Sequence, residues 1–543
     1  MGIYLNGSSA YTLYKSETTK PYFVDKTRMI AELIPLVEQG GNCICVTRPR
    51  RFGKTMAADM IASYFSRGMD SADVFDSLWI GGEPKYEAHR NQHHVIQISF
   101  NKIPRRCKTY EQYISRIENQ LLEDLQNAYP EAVIREDDAV WDALLKVYSS
   151  DHTARFIFVL DEWDFIFHRS FATPQDQSDY IDFLSNLLKN QPYVEFAYIT
   201  GILPIAKYSS GSELNMFQEY TMATKGKYSE YFGFTDEEVD GLYLRYQMKT
   251  KPVNISREGL RLWYDGYQTI PGKRMYNPRS VICALGDNQL GSYWTSSGPY
   301  DEIFYYIKHN VADVRDDLAL MVSGIPVPAK IQEYAATYMN LTTKDEIFSA
   351  MIVYGFLSYE KGCVSIPNKE LMDKFDEMLR KEPSLGYVNR LAKESERMLA
   401  ATKAGDTETM LQILAYAHDT EIPLLSYSNE TDLTAVVNLV YLAARDYYRI
   451  EREDKAGIGY VDFIFYPDDY QADCMILELK VDHTAQEAIN QIKDRRYALK
   501  FRGKISEERR YTGRILAVGI AYDKVSKKHS CMVEEIKQEP NVI

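Results

Sequence analysis

The stretch R-P-R-R-F-G-K-T at Arg48–Thr55 decides the fold of the N-terminal part of this chain. It follows a short apolar run, N-C-I-C-V-T at Asn42–Thr47, and it precedes an apolar helical stretch at Met56–Phe65. A strand, a loop ending in G-K-T and a helix form the context in which the pattern G-x-x-x-x-G-K-[ST] binds phosphate. The sequence therefore predicts a phosphate-binding loop here.

Each residue type in the loop suits a part of phosphate chemistry. Gly53 allows a tight turn that brings backbone N–H groups and a helix N-terminus towards phosphate oxygens. Lys54 is predicted to pair with the β- and γ-phosphates, and Thr55 to offer its hydroxyl to Mg²⁺. Arg48 stands where the pattern has its first glycine. The predicted nucleotide-binding loop comprises Arg48, Pro49, Arg50, Arg51, Phe52, Gly53, Lys54 and Thr55.

A second apolar run, I-F-V-L-D-E-W-D, ends at Asp164 and delivers Asp161 and Glu162 at its C-terminal end. In a P-loop ATPase such an aspartate holds magnesium and the following glutamate orients the attacking water. The alternative is a strand capped by solvated acids. A further strand ends at Thr200, which is predicted, on weaker grounds, to sense the γ-phosphate.

Four apolar runs alternate with helical stretches between about residue 20 and residue 205. They are Asn42–Thr47, His94–Phe100, Arg155–Leu160 and Val194–Thr200. Continuous apolar character and room for crossover helices predict an α/β fold with a parallel sheet. One predicted helix spans Thr109–Ala128. From about 210 to 395 the pattern becomes mostly helical, which predicts a lid or connecting region.

Several motifs together resemble the predicted AAA-ATPase-like family found in bacteria. They are P-Y-F-V-D-K-T (Pro21–Thr27), T-R-P-R-R-F-G-K-T, V-L-D-E-W-D, I-T-G-I-L-P-I-A-K (Ile199–Lys207), W-Y-D-G-Y (Trp263–Tyr267) and Y-N-P-R-S (Tyr276–Ser280). The resemblance covers roughly residues 1–290. The family's phosphate loop also begins R-P-R-R-F-G-K, so Arg48 resembles a family feature. The resemblance implies a P-loop NTPase that uses ATP and Mg²⁺.

Acidic residues and a lysine gather on two predicted C-terminal strands. Asp462 lies in G-I-G-Y-V-D-F-I-F-Y, and Glu478 and Lys480 lie in M-I-L-E-L-K-V. Residues two apart on a strand share a face, so Glu478 and Lys480 can point at one site. If Asp462 faces that site, two carboxylates can hold Mg²⁺ and Lys480 can orient or activate a water.

The order of these elements resembles the PD-(D/E)xK nuclease superfamily, which implies a small, restriction-endonuclease-like α/β module over about residues 396–525. A helix is predicted at Thr431–Tyr448, strands at Tyr460–Tyr466 and Cys474–Val481, a helix at Thr484–Phe501, and strands near Arg514–Tyr522 and Cys531–Ile536. Glu430 and Gln491 are further candidate catalytic residues. Val461 replaces the proline of the superfamily's name. The alternative is that D-x-F and E-x-K are ordinary polar positions on half-buried strands.

Charge bears on the substrate. The net charge of -14 argues against a protein that coats nucleic acid with its whole surface. Lys493–Arg514, however, carries nine basic and three acidic residues, which is typical of a phosphate-binding patch. A solvated helix face is the alternative. Nucleic acid, DNA rather than RNA, is the predicted partner, and a homo-oligomer is left open.

A chain of 543 residues favours two or three domains. We predict an ATPase core at 1–210, a helical lid and connecting region at 211–395, and the nuclease-like module at 396–543. Seven scattered cysteines predict reduced thiols. The N-terminus does not match a signal peptide and no apolar run could span a bilayer, so a cytoplasmic protein is expected.

Two functions remain open. In the first, the ATPase-like part controls a Mg²⁺-dependent nuclease. In the second, it is a nucleotide-dependent switch whose C-terminal module binds a partner without cutting. The presence of Asp462, Glu478 and Lys480 favours the first.

Overall fold

A computed structural model describes residues 2–104, 107–135, 137–205, 213–222, 226–269, 272–295, 311–331, 341, 343–419, 430–456, 459–467, 469, 471–494 and 513–536. The chain forms two compact units. The first contains residues 1–306 and 328–371, and the second contains residues 307–327 and 372–543. These units cut across the predicted range 211–395, and the three predicted ranges stay predictions.

The first unit is built on a five-stranded sheet. Its strands are β1 (Asn42–Thr47), β2 (His94–Ser99), β3 (Phe156–Asp161), β4 (Val194–Gly201) and β5 (Phe217–Tyr220). They lie in the order β2-β3-β4-β1-β5, and every pair is parallel. The four predicted strands are confirmed to within one residue. The fifth strand, β5, lies where the sequence pattern indicated helices. It was not predicted because a four-residue strand is too short to show a period.

Helices cover both faces of this sheet. On one face lie α1 (Ser9–Thr18), α2 (Arg28–Gln39) and α3 (Lys54–Phe65), with the short α4 (Ala72–Phe75) and α5 (Tyr86–His89) nearby. On the other face lie α6 (Tyr110–Ala128), α7 (Val140–Ser150) and α8 (Pro174–Leu188). Thr109 caps α6 by accepting a hydrogen bond from the backbone N–H of Gln112, so the predicted helix is confirmed. Burial on both faces explains the continuous apolar runs.

Helices and small hairpins follow the sheet. The helices are α9 (Asp236–Lys249), α10 (Arg257–Tyr264), α11 (Pro278–Asp287), α12 (Val311–Val322), α13 (Lys344–Val353) and α14 (Lys369–Lys381). The short strands are β6 (Tyr267–Gln268), β7 (Arg274–Met275), β8 (Val327–Pro328), β9 (Ser358–Glu360) and β10 (Cys363–Ser365). The tyrosines Tyr264, Tyr267 and Tyr276 of the W-Y-D-G-Y and Y-N-P-R-S motifs are buried.

The second unit contains a mixed sheet. Its strands β11 (Tyr448–Ala456), β12 (Gly459–Pro467), β13 (Cys474–Val481), β14 (Ile515–Asp523) and β15 (Lys528–Glu535) lie in that order. Only β13 and β14 are parallel, and α18 (Ala485–Asp494) lies between them in the chain. The helices α15 (Tyr387–Ala404), α16 (Thr407–Asp419) and α17 (Glu430–Val440) precede the sheet.

The predicted helix Thr431–Tyr448 is wrong in its second half. Helix α17 ends at Val440, a 3₁₀ turn covers Leu442–Asp446, and Tyr448 begins β11. This strand was missed because it is an edge strand whose sequence, Y-R-I-E-R-E-D-K-A, is mostly charged. The predicted helix Thr484–Phe501 is described only as far as Asp494.

The seven cysteines form no disulfide, and Cys43 and Cys45 are buried in β1 as predicted. Among the described residues, no helix is both long and apolar enough to cross a membrane.

Candidate functional site

The loop between β1 and α3 has the backbone that a phosphate loop needs. Gly53 has φ 90° and Arg51 has φ 71°, so the backbone of both residues lies in the left-handed region. Gly53 is followed directly by α3, whose first backbone N–H groups face the loop. Phe52 is fully buried, and its ring meets the Tyr267 ring edge-on with centroids 4.9 Å apart. The W-Y-D-G-Y motif therefore supports the loop by packing.

Lys54 is folded back onto its own loop. Its Nζ donates hydrogen bonds to the carbonyl oxygens of Arg48 and Pro49, each at 2.9 Å. Burial lowers the pKa of Lys54 to about 8, although the carboxylates of Asp164, Asp161 and Glu162 oppose the shift. An ammonium held by two neutral carbonyls can be transferred to a phosphate, because a phosphate is the stronger acceptor.

Arg48 does not point at the loop. Its side chain is 1% exposed, and its Nη1 donates to the carbonyl oxygens of Thr47 at 2.7 Å and Tyr220 at 2.9 Å. The guanidinium also lies 5.2 Å from the centre of the Phe232 ring. Arg48 therefore ties β1 to β5, and only its backbone belongs to the loop. This gives a structural reason for an arginine in place of the first glycine.

Asp161 lies at the end of β3, beside the loop. Burial raises its pKa to about 6, although a hydrogen bond from the Thr55 hydroxyl lowers it. Its Oδ1 is buried and has no hydrogen-bond partner among the described residues. A buried carboxylate oxygen without a donor, next to a threonine hydroxyl, fits the oxygen ligands that Mg²⁺ prefers. The structure thus brings together Thr55 and Asp161.

A cavity of about 560 Å³ opens between the loop and the segment after β3. Glu162, on its wall, has a left-handed backbone with φ 52°, an unusual conformation for this residue type. The residues that line the cavity are Arg50, Arg51, Gly53, Lys54, Thr55, Met56, Glu162, Asp164, Phe165, His168, Arg169, Ile202 and Trp294. Backbone strain of this kind is concentrated at functional sites.

Thr200 lies at the correct end of β4 but uses its hydroxyl elsewhere. Its register partner in β3 is Asp161, and in β1 it is Val46. The Thr200 side chain is fully buried, and its Oγ1 donates to the Val46 carbonyl oxygen at 2.8 Å. The structure therefore gives Thr200 a role in joining β4 to β1, and its predicted role towards γ-phosphate stays a prediction.

Asp164 is a residue of the site that the sequence argument missed. Its Oδ2 accepts from the backbone N–H groups of Ile202 and Leu203, both at 2.9 Å, and lies 3.7 Å from His168 Nε2. Burial would raise its pKa, but His168 and these N–H groups hold it below its usual value. The signal was the last residue of D-E-W-D and the histidine four positions later.

Glycines at two points allow close packing around the site. A Cβ on Gly201 would lie 2.5 Å from Asp164 Oδ1, which explains the glycine of I-T-G. A Cβ on Gly355 would lie 2.7 Å from Pro49 Cβ, and Gly355 has φ 85°. The turn after α13 therefore packs closely against the phosphate loop. Nothing in the sequence pattern indicated that contact.

In the second unit, β12 and β13 bring the predicted nuclease residues together. Their antiparallel register pairs Phe463 with Leu477. One position further along, the same register places Asp462 opposite Glu478. Asp462 Oδ2 accepts from the Leu479 backbone N–H at 2.7 Å. Glu478 Oε1 accepts from Lys480 Nζ at 3.0 Å and also from the Gln491 side-chain amide. Gln491 lies on α18, as predicted.

Glu478 is 3% exposed, and burial raises its pKa to about 7. The charge of Asp462 also raises it, whereas Lys480 lowers it. Its Oε2 is buried without a hydrogen-bond partner among the described residues, and it can accept a metal ion. Glu430 begins α17, but its side chain lies outside the described residues. Within the described part of the chain, no three His, Cys, Asp or Glu side chains converge as a metal site.

The basic run Lys493–Arg514 is described only at its ends. Lys493 pairs with Glu534, and Arg514 forms a two-pronged pair with Asp473 at 2.6 and 2.9 Å. Both end residues are therefore neutralised by acids. The residues between 495 and 512 lie outside the described residues, so the predicted patch stays a prediction.

Comparison with known families gives the same two parts. Residues 12–210 match the family described as "Predicted AAA-ATPase", and residues 429–528 match the "PD-(D/E)XK nuclease superfamily". The chain combines these two kinds of domain. The resemblances expected from the motifs are confirmed, and the matched ranges contain the two clusters described above.

Other relatives are distant. A protein from Azotobacter chroococcum, named "Uncharacterized protein in vnfD 5'region", is 27% identical over 289 residues, which is 51% of this chain and 51% of that protein. The match thus spans about half the length of that relative.

Two solved structures have a distant likeness to this chain. The Walker-type ATPase PABY2304 of Pyrococcus abyssi has a TM-score of 0.37 at 10% identity, covering 65% of this chain and 96% of that chain. The Aeropyrum pernix ORC2 protein, in ADPNP and ADP complexes, has a TM-score of 0.30 at 12% identity, covering 68% and 93%. At these scores the likeness carries no further argument.

Proposed function

We propose that the ATPase-like domain binds and hydrolyses Mg²⁺-ATP at the cavity between Arg48–Thr55 and Asp161–Glu162. The observation that supports this most is that, among the described residues, Lys54 Nζ donates to two backbone carbonyls while the buried Oδ1 of nearby Asp161 has no hydrogen-bond partner. Lys54 Nζ and Asp161 Oδ1 can therefore bind a ligand that carries an anion and a divalent cation. Mg²⁺-ATP supplies both.

The residues of this site have separable roles in the proposed reaction. Bound Mg²⁺ would be held by Thr55 and Asp161 and would neutralise charge on the phosphates. Lys54 leaves the carbonyls of its loop and pairs with the β- and γ-phosphates. Glu162, at the cavity wall, orients the attacking water. Phosphoryl transfer depends mainly on such positioning and neutralisation.

We further propose that the nuclease-like domain hydrolyses phosphodiester bonds of nucleic acid, with DNA as the expected substrate. Asp462 and Glu478 would hold Mg²⁺, which would polarise the scissile phosphate. Lys480, 3.0 Å from Glu478 Oε1, orients the water that attacks phosphorus, and the Gln491 side-chain amide donates to the same Glu478 oxygen, which leaves Oε2 for the metal ion. In this proposal the nucleotide state of the first domain controls this cleavage.

A second candidate function is a nucleotide-dependent switch that binds a partner without cutting it. It is favoured by one observation: only two acidic side chains, Asp462 and Glu478, are described at the nuclease-like site. Two carboxylates suffice for one metal ion, but a site that holds no metal would serve only for binding. Metal binding therefore separates the two candidates.

The test is to incubate purified protein with linear DNA, circular DNA and RNA in Mg²⁺, with and without ATP, beside Lys480→Ala and Lys524→Ala. Lys524 is the matched control because its Nζ pairs with Asp482 on the surface. Cleavage that is lost in Lys480→Ala and kept in Lys524→Ala supports the nuclease. Absence of cleavage on every substrate, with ATP still bound, contradicts it and favours the switch.

A further inference from the structure

The cavity beside the phosphate loop is lined by more basic than acidic side chains. The acidic ones are Glu162 and Asp164, and the basic ones are Arg50, Arg51, Lys54 and Arg169. An excess of positive charge suits a ligand with several negative charges, such as a triphosphate. Three of the basic residues belong to the phosphate loop, whereas Arg169 does not, and the proposed mechanism gives Arg169 no role.

Arg169 belongs to the segment of the cavity wall that follows β3. It comes directly after the 3₁₀ turn Trp163–His168, and Glu162 comes directly before that turn. Both residues line the cavity, together with Lys54 and Thr55 of the loop. The group proposed to orient the attacking water and the Arg169 guanidinium therefore come from one short segment.

The ring of Phe165 holds the Arg169 side chain at the cavity. The central carbon of the guanidinium lies over this ring, 4.5 Å from its centroid, and Phe165 also lines the cavity. An aromatic face attracts a guanidinium and leaves the N–H groups at the edges of the guanidinium able to donate. The ring thus limits the positions that the cation can take without using its donors.

The charge of Arg169 is not paired with an acid in the part of the chain that the structure describes. Its side chain is exposed, and it forms no ion pair with a described residue. Asp164, in the same segment, accepts instead from the backbone N–H groups of Ile202 and Leu203. Arginine stays protonated in proteins. Arg169 is therefore a permanent cation on the cavity wall that can donate to a phosphate oxygen.

We propose that Arg169 is a catalytic residue of ATP hydrolysis, which donates to an oxygen of the γ-phosphate and offsets the charge that builds up there in the transition state. This inference rests on the proposed ATP site. Lys54 binds the phosphates from the side of the loop, whereas Arg169 reaches them from the side of Glu162 and the attacking water. Because both walls belong to one chain, hydrolysis needs no arginine from a second copy.

The reaction leaves Arg169 itself unchanged. The water oxygen forms a bond to the γ-phosphorus, the bond from that phosphorus to the bridging oxygen breaks, and ADP leaves with the electron pair. One proton of the water stays on the inorganic phosphate, and the other passes to solvent. Charge spreads over the oxygens of the transferred group in the transition state, so an arginine there stabilises the transition state more than bound ATP.

The test measures ATP hydrolysis by the full chain and its variants in Mg²⁺. It also measures the dissociation constants of ADP alone and of ADP with aluminium fluoride, which imitates the transferred group. Arg169→Ala should lower kcat, and weaken the binding of ADP with aluminium fluoride, by at least about tenfold each. KM for ATP and the dissociation constant of ADP should stay within about twofold, because the contact is made mainly in the transition state. Arg169→Lys keeps the charge without the planar group and should recover part of the loss.

Arg28→Ala is the matched control. Arg28 is also exposed and lies over an aromatic ring, 5.6 Å from the centroid of Trp79, but it does not line the cavity. It should leave all four quantities unchanged. A kcat of Arg169→Ala within about twofold of the wild-type value would overturn the inference, as would an equal loss of affinity for ADP and for ADP with aluminium fluoride. A wild-type protein that binds no nucleotide would overturn the ATP site, and one that binds ATP without hydrolysing it would overturn the proposed hydrolysis; the inference falls with either.

Discussion

At the scale of single residues, Arg48 shows how a departure from a motif can be structural. The phosphate-loop pattern has glycine at this position, yet the buried guanidinium of Arg48 donates hydrogen bonds to two backbone carbonyl oxygens. The sequence predicted a strand, a loop and a helix around Gly53, Lys54 and Thr55, and the structure has that arrangement. It could not predict where the Arg48 side chain points, because its partner Tyr220 lies 172 positions away.

We therefore predict that Arg48→Gly, which restores the pattern, destabilises the protein by about 2–4 kcal/mol, since the Thr47 and Tyr220 carbonyl oxygens lose their donor. Denaturant unfolding measures the loss. Arg50→Gly is the matched control, because Arg50 lines the cavity and should affect ATP affinity rather than stability. Equal stability of the two variants would contradict the structural role of Arg48.

Asp161 gives a pH-dependent prediction. Burial raises its pKa from 3.8 to about 6, so the folded state favours the protonated form. The stabilisation from this proton is complete below pH 3.8 and is lost as the pH rises through about 6. Asp161→Asn mimics the protonated form. Without nucleotide, its stability relative to the wild type should therefore rise by on the order of 1 kcal/mol as the pH is raised from 5 to 8.

Thermal or urea unfolding of wild type and Asp161→Asn at pH 5 and at pH 8, in the presence of a chelator, provides the comparison. Asp142→Asn, on an exposed position of α7, is the control. A stability difference between Asp161→Asn and wild type that is the same at both pH values would contradict the assignment.

Glu478 gives the corresponding prediction for the nuclease-like domain. Its pKa is raised to about 7, and the proton must leave before the carboxylate can bind a metal ion. Calorimetric titration with Mn²⁺ should give an affinity about tenfold lower at pH 6 than at pH 8, because the ionised fraction falls by that factor. Glu478→Gln should not bind the ion. An affinity that does not change with pH would contradict the role of Glu478.

At the scale of elements, strands that carry an apolar run were predictable, whereas the edge strands β5 and β11 were not. β1 and β3 are almost entirely apolar, and β13 is apolar apart from Glu478 and Lys480, so their composition and length identify them. β5 has four residues, and β11 is a charged edge strand, so neither leaves an apolar pattern. Asp462 and Glu478 could be predicted as neighbours because they lie on two recognisable strands.

The turn after α13 provides a prediction at this scale. Gly355 and Gly362 both have φ 85°, but a Cβ meets Pro49 at 2.7 Å only at Gly355, whereas at Gly362 it meets nothing within 4 Å. Gly355→Ala should therefore displace the phosphate loop and weaken ATP binding several-fold. Gly362→Ala carries the same backbone strain, about 1 kcal/mol, and should leave ATP affinity unchanged. Equal ATP affinities would contradict the contact.

At the scale of the whole molecule, two sites of different chemistry lie in separate compact units. Motifs indicated both families from the sequence, because the candidate reactive groups of this chain lie on or directly after recognisable strands. Supporting residues such as Asp164 and Gly355 came only from the structure. Their partners are brought close by tertiary packing, which a linear pattern does not contain.

The central claim is that ATP held by the first unit controls cleavage by the second. The most direct test measures the rate of DNA cleavage in Mg²⁺ by wild type and Lys54→Ala, each with ATP, with ADP and without nucleotide. We predict that the wild-type rate depends on which nucleotide is present, and that Lys54→Ala gives one rate under all three conditions while still binding metal at Asp462 and Glu478. A wild-type rate that is the same with ATP, with ADP and without nucleotide would contradict the claim.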